Sequence, residues 1–430
     1  MGLGQKFEFA LPFSKEKNLF FEKANLIHHF LSSLFFMPRS RKNKPTSSYI
    51  SDNKVKLIRG GAAYFELLEK IIGQARDTIH LQVYIYDEDE TGKKIAEALI
   101  AAAKRKVKVY LLVDGYASQS LSPAFIQHLA DGGVNFRFFD PLFKGNNFYF
   151  GRRLHHKIVV VDTDVAMVGG INISNHYNDT PGEPAWLDFA LFTEGPIVKE
   201  LCVLCWKTWK GFKADQVVAP CNQKSLKLDI KPDEIADVRL RQNDWVRRKN
   251  QISKTYIEIM VGANSHISIL CSYFLPGSVM RRAIKKAVKR GVKIKVIMAG
   301  KSDLVIAKNA ERYMYDWLLR HKVEIYEYQN NILHGKIAVS DCQWMTIGSY
   351  NVNDISAYAS IELNLDIKNP SFSTHVSKTL DEIISNDCTM ITAESHSRTK
   401  NILKQFFRWA SFELFRLGFH VFTFYFRQTN

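Results

Sequence analysis

Two short runs of this 430-residue chain carry histidine, lysine, aspartate and asparagine at the same intervals. The first is His155-x-Lys157, followed by Asp162 and then Gly169-Gly170-Ile171-Asn172. The second is His334-x-Lys336, followed by Asp341 and Gly348-Ser349-Tyr350-Asn351. The copies lie 179 residues apart and share the spacing H-x-K, four residues, D, six residues, G-[GS]-x-N. With each type used at about 5%, five such positions agree by chance about three times in ten million starts, so the repeat reads as a duplication.

Brought together, these residues form a donor-rich site suited to an anion. Tetrahedral phosphate fits: Lys157 and Lys336 supply charge, and Asn172, Asn351 and Ser349 supply donors to its oxygens. A neutral imidazole can attack phosphorus to form a phosphohistidine, while a second, protonated ring hands a proton to the departing alkoxide and later takes one back. Each ring then needs an acceptor on its other nitrogen. Asp188, in the strand-like run Trp186 to Leu191, and Glu362, in Ser360 to Leu365, occupy corresponding places after the two words and are assigned as these orienting carboxylates. Asp162 and Asp341 complete the catalytic words, with a supporting role favoured over direct chemistry. A metal is not expected, since a cation sits beside each would-be histidine ligand and no third ligand has suitable spacing.

The elements that must position these residues repeat too. Strand-like Ile79–Ile85, an alanine-rich helix over Ile95–Ala103 and a strand over Val107–Val113 reappear as Ile267–Tyr273, a helix over Met280–Lys289 and a strand over Val292–Met298. Short strands follow at Val134–Phe139 and Val323–Tyr328, just before each histidine word, which is itself expected to enter a strand. Alternating strands and crossover helices imply an α/β fold with mostly parallel sheets covered on both faces. The seam between halves falls near residues 214–234. The run 235–250, with Asp237, Arg239, Arg241, Arg247, Arg248 and Lys249, is expected to be exposed.

The net charge of +16 favours an anionic partner, either nucleic acid or an acidic lipid surface. Six scattered cysteines suggest a reducing compartment, with Cys202 and Cys205 read as small buried hydrophobes rather than a redox or zinc pair. Near the N-terminus, Leu26, Phe30, Leu34 and Met37 form a helical stripe ended by Pro38 and followed by basic residues. The run is shorter than a spanning helix and has no signal-peptide pattern. The aromatic tail places Phe412, Phe415, Phe419, Phe422 and Phe426 at helical intervals. It fits a helix lying in a membrane interface, or a last helix covering the second sheet.

The paired words resemble the signature of the phospholipase D superfamily over roughly residues 54–395. Gly169 to Ser174, Trp186-Leu187-Asp188, Glu194 to Val198 and Ser272 to Pro276 are similar to bacterial cardiolipin synthases, of the branch without N-terminal membrane spans. The resemblance implies a duplicated α/β/α sandwich, its halves related by a pseudo-twofold axis and sharing one active site. It divides the chain into an N-terminal segment (1–53), two halves (54–225 and 226–395) and a tail (396–430). It further implies His155 as nucleophile, His334 as general acid and base, no cofactor, and transfer of a phosphatidyl group from phosphatidylglycerol at the cytoplasmic face of the bacterial inner membrane, with peripheral attachment. Nucleic acid is not the expected partner. A hydrolase, another head-group transferase, a nuclease and a non-catalytic scaffold remain the competing readings.

Overall fold

The computed structural model describes residues 48–140, 152–212, 220–221, 235–302, 304–353, 360–398 and 401–424. The N-terminal stripe, most of the seam and the last residues of the tail lie outside them.

The first half runs β1 (Ile50–Arg59), α1 (Ala62–Gln74), β2 (Thr78–Val83), α2 (Glu90–Lys104), β3 (Lys108–Asp114), α3 (Pro123–Asp131) and β4 (Asn135–Phe139). It continues through β5 (Arg153–Leu154), β6 (Ile158–Val161), β7 (Val165–Gly169), β8 (Phe189–Glu194) and α4 (Ile197–Trp209). The second half opens with β9 (Ile235–Asp244), β10 (Lys249–Asn250), α5 (Gln251–Gly262), β11 (His266–Cys271), α6 (Ser278–Lys289), β12 (Lys293–Lys301) and α7 (Val305–Arg320). Then come β13 (Glu324–Ile332), β14 (Lys336–Ser340), β15 (Trp344–Gly348), β16 (Ser360–Lys368), α8 (Pro370–Asp387), β17 (Cys388–Ile391), α9 (Ala393–Arg398) and α10 (Ile402–Phe424). Local chemistry marks several starts. Ser122 accepts from Phe125 N ahead of Pro123, and Asn369 accepts from Phe372 N ahead of Pro370.

The first sheet is ordered β4-β3-β2-β6-β7-β8-β1 and the second β13-β12-β11-β14-β15-β16-β9, with β17 added beside β13. The expectation of mostly parallel sheets is corrected: β2, β3 and β4 are mutually parallel, as are β11, β12 and β13, but the remaining pairings within each half are antiparallel. The crossover helices explain the parallel strands. Short turns after β6 and β14 force hairpins in the rest. β1 pairs with β9, so hydrogen bonding continues from one sheet into the other.

Side chains alternate between two cores. Ile158 and Val160 face a core shared with α4, α8 and the second sheet, whereas Val159 and Val161 face the core under α1, α2 and α3. The second sheet's other face packs on α5, α6 and α7. Helices therefore cover both faces, and the core containing α4 and α8 spans both halves.

Two expectations change. Arg241 is fully buried in β9 rather than exposed: it pairs with Asp366 and Glu258, and Arg239 joins the same two carboxylates from the same strand face. Strand alternation put both guanidiniums over partners more than a hundred positions away in the case of Asp366, which no local reading finds. Cys202 is joined to Cys221 in a disulfide, with Cα atoms 6.0 Å apart, while Cys205 stays a free buried thiol. Burial raises that thiol's pKa, consistent with a purely apolar role.

Candidate active site

Each histidine word stands in an irregular stretch just before a strand, β6 or β14, and each stretch is pinned to the opposite half. His155 N donates to Ile361 O (3.0 Å), and β5 pairs in parallel with the start of β16. His334 N donates to Leu187 O (2.8 Å). The backbone bonds thus hold the ring of one half against the strand of the other.

The carboxylates cross in the same way. His155 Nδ1 meets Glu362 Oε2 at 2.8 Å, and His334 Nδ1 meets Asp188 Oδ2 at 2.7 Å. A carboxylate accepts, so the proton sits on Nδ1 and the lone pair of each ring on Nε2. Glu362 is further held by Ser349 Oγ (2.5 Å) and Ser360 Oγ (2.7 Å), and Asp188 Oδ1 accepts from Phe189 N (2.7 Å). Both carboxylates are buried, while the imidazoles keep 15% and 11% of their side-chain surface. At the position matching Ser349 stands Gly170, where a Cβ would lie 2.4 Å from Asp188 Oδ1. The G-[GS] difference therefore follows the carboxylate packed against it.

Lys157 Nζ donates to His155 O (3.0 Å) and lies 5.0 Å from the Tyr84 ring centre. Lys336 Nζ donates to His334 O and to Ser272 Oγ (3.0 Å). Tyr84 and Ser272 both follow directly on equivalent strands, β2 and β11. The lysine is thus met by a ring face in one half and a hydroxyl in the other.

Electrostatically the site is governed first by burial, and then by two lysines set against two carboxylates. Burial pushes His334 down to about 4, Lys336 and Lys157 adding to the effect against Asp188. Burial likewise lowers His155, with Glu362 opposing and Lys157 and Lys336 adding. Lys157 itself is driven well below the usual lysine range by burial, with Glu362 opposing and Lys336 contributing. Burial alone would raise the Glu362 carboxyl, but His155, Lys157 and Ser349 together hold it below the ordinary value. Each histidine feels the other half's lysine. An anion between them would favour the charged forms of both rings and of Lys157.

The remaining expected residues are placed less uniformly. Asn172 is buried, but its amide spans scaffold groups: Oδ1 accepts from Ile85 N (3.0 Å) and Nδ2 donates to Tyr177 Oη (2.8 Å). Asn351 Oδ1 accepts weakly from Cys271 Sγ (3.8 Å). Asp162 and Asp341, expected among the catalytic residues, are placed away from the two rings. Asp162 accepts from the backbone amides of Arg76, Asp77 and Thr78, each at 2.8 Å. Asp341 accepts from those of Asn264, Ser265 and His266. They sit just past the far ends of β6 and β14, about 13 Å and about 17 Å of strand from the histidine end, with φ of 54° and 51°. Aspartate tolerates that conformation, so these residues turn the hairpins and tie them to the helices behind.

Sequence reasoning missed the groups around the rings. Tyr84 packs edge-on against His155 (4.8 Å) and Tyr177 against His334 (5.2 Å), with Trp186 near the latter. Asp114, at the end of β3, accepts from Leu154 N (2.8 Å), the residue before His155. Glu311 on α7 accepts from Phe274 N (2.7 Å), two residues after Ser272, and burial lifts its carboxyl to about 7. An acid at the carboxyl end of a parallel strand was the available signal for Asp114; Glu311 left none. Among the described residues no group of three or more His, Cys, Asp or Glu could hold a metal ion.

The family model "Cardiolipin synthase, PLD-like domain" matches residues 68–188 and 256–384. Cardiolipin synthase B of Escherichia coli (strain K12) is 35% identical over 347 residues, spanning 80% of this chain and 83% of that protein. Cardiolipin synthase of Halalkalibacterium halodurans is 29% identical over 77% of this chain and 65% of its own length. Among solved structures, phosphatidylserine synthase of Haemophilus influenzae Rd KW20 superposes with a TM-score of 0.65 over 86% of this chain and 96% of that one, at 14% identity. That likeness is one of fold. Each matched segment contains one copy of the histidine word, and the chain belongs to the cardiolipin synthase family of phospholipase D-like proteins.

Proposed function

We propose that the chain is a phosphatidyltransferase that makes cardiolipin from two molecules of phosphatidylglycerol. His155 Nε2 attacks the phosphorus of the first lipid, the bond from phosphorus to the glycerol head group breaks, and the departing alkoxide takes a proton from His334. Glycerol leaves. His334 then removes the hydroxyl proton of the second phosphatidylglycerol, whose oxygen attacks phosphorus and breaks the phosphorus–nitrogen bond. Lys157 and Lys336 offset the charge on the phosphoryl oxygens. The phosphate's own charge raises His334 from its depressed value, so the proton needed for the leaving group comes with the substrate.

The observation that carries this reading is the crossed pair of Nδ1–carboxylate bonds, which leave an accepting Nε2 on each ring beside two buried lysines. The enzyme attaches peripherally, at the cytoplasmic face of a bacterial inner membrane. Among the described residues no helix is long and apolar enough to cross a bilayer.

The test is to incubate the purified chain with phosphatidylglycerol vesicles and identify products by mass spectrometry. Cardiolipin and free glycerol in equal amounts are expected. Phosphatidic acid alone would make the chain a hydrolase, and cleavage of single-stranded DNA lost in His155→Ala would make it a nuclease.

A further inference from the structure

The two halves differ most on their outer surface. In the first half, α2 carries Glu90 and Glu97 among Lys93, Lys94 and Lys104, and Lys94 is paired with Glu69 at 2.8 Å. Its counterpart α6 reads Ser-Val-Met-Arg-Arg-Ala-Ile-Lys-Lys-Ala-Val-Lys and has no acid at all. Met280, Ala283, Ile284 and Ala287 turn inward, leaving Arg282, Lys285, Lys286 and Lys289 exposed, with no carboxylate paired to them among the described residues.

The second half alone is followed by α10. Phe412 packs 4.9 Å from the Tyr313 ring of α7 and Arg408 is buried, so one side of α10 is seated on the domain. The other side presents Leu403, Phe406, Phe407, Leu414 and Leu417, a stripe at three- and four-residue intervals, with Ile402 and Leu403 keeping 81% and 70% of their surface. α6 reaches the same turn of α7 through Arg281, which contacts Met314 Sδ at 3.8 Å. The cluster against which Phe412 packs includes Leu275, three residues beyond the Ser272 that holds Lys336.

We propose that α6 and α10 together form the docking surface for an anionic phospholipid bilayer, with α10 laying its apolar stripe into the interface and α6 meeting lipid phosphates. A buried apolar stripe supplies partition into any bilayer, while unpaired cations supply selectivity for a negative one. The occupant is a lipid surface because α6, which meets the same turn of α7 as α10 does, exposes four cations, Arg282, Lys285, Lys286 and Lys289, with no carboxylate paired to them among the described residues. This inference rests on the peripheral-membrane reading above and assigns it to one face of the second half. It also places the surface directly behind the loop that steadies Lys336.

Cosedimentation of the full chain with phosphatidylcholine vesicles, and with the same vesicles containing phosphatidylglycerol, tests it. Leu403→Ser with Phe406→Ser and Phe407→Ser should weaken binding to both vesicle types at least tenfold. Arg282→Glu with Lys285→Glu and Lys289→Glu should remove the phosphatidylglycerol-dependent increment, roughly a hundredfold for three cations, and flatten the salt dependence. Lys93→Glu with Lys94→Glu on α2 should bind as the parent does. Turnover of a monomeric short-chain phosphatidylglycerol, unchanged in all three variants, reports that the site is intact. Parent-like binding by the α6 and α10 variants would overturn this surface while leaving peripheral attachment standing. A parent chain that ignores vesicles would overturn both. A dimer lost on the serine substitutions with vesicle binding unchanged would give the stripe to a second copy of the chain and overturn the proposal.

Discussion

The first and second halves share strand order, register and the histidine word, yet each asks something different of its residues. Glu362, steadied by two serine hydroxyls, holds His155; Asp188, shorter and packed against a glycine, holds His334. The lysine is met by a tyrosine ring in one half and a serine hydroxyl in the other. Behind the site, Ser118 accepts from Tyr86 N in the first half, and Glu311 does the same for Phe274 N in the second. A duplication supplies two equal rings. The differences around them are what can make one a nucleophile and the other a proton carrier.

The largest break in the symmetry is expected at the rings. His155→Ala and His334→Ala should each lower turnover by roughly 10⁴-fold or more while circular dichroism stays that of the parent. Only His155→Ala should abolish the covalent phosphatidyl adduct in peptide mass spectrometry. An adduct on the His334 peptide would exchange the two roles.

The crossed carboxylates come next. Glu362→Gln should cost about 10³–10⁴-fold in kcat, because the amide no longer fixes the tautomer of the attacking ring. Asp188→Asn should cost less, since it serves the ring that carries the proton. Equal losses would mean that the halves act interchangeably.

Smaller still is the effect at the lysines. Ser272→Ala should lower kcat/KM about tenfold through Lys336, whereas Tyr84→Phe, which keeps the ring, should change it little. Asp162→Asn and Asp341→Asn should lower Tm, with turnover per folded molecule near that of the parent. A large drop in kcat without loss of stability would return these aspartates to the chemistry.

Acid should also separate the halves. His80 and His156 are buried with no ring-nitrogen partner among the described residues, and burial pushes them down to about 4 and about 3. Their second-half counterparts are Ser268 and Gly335. Below about pH 6.5 the unfolded chain takes up protons that the folded rings refuse, so stability falls as pH drops from there toward 4. His80→Phe should flatten that slope in urea titrations by about one proton. An unchanged slope would mean the ring titrates normally.

Residue types and spacing alone determined the duplication, the helices on both faces of each sheet, and the choice of the two histidines, two lysines and two carboxylates that the fold brings together. These are local or periodic properties: a strand alternates every second residue, and a repeated word needs only counting. The tertiary structure decided which carboxylate meets which ring, that Asp162 and Asp341 accept from the backbone ahead of β2 and β11, that Arg241 is buried, and that Cys202 meets Cys221. Each depends on residues far apart in sequence, and the partner is chosen by how two sheets pack. The exchange of carboxylates between halves is the clearest case, because nothing in either word records that its ring leans on the other.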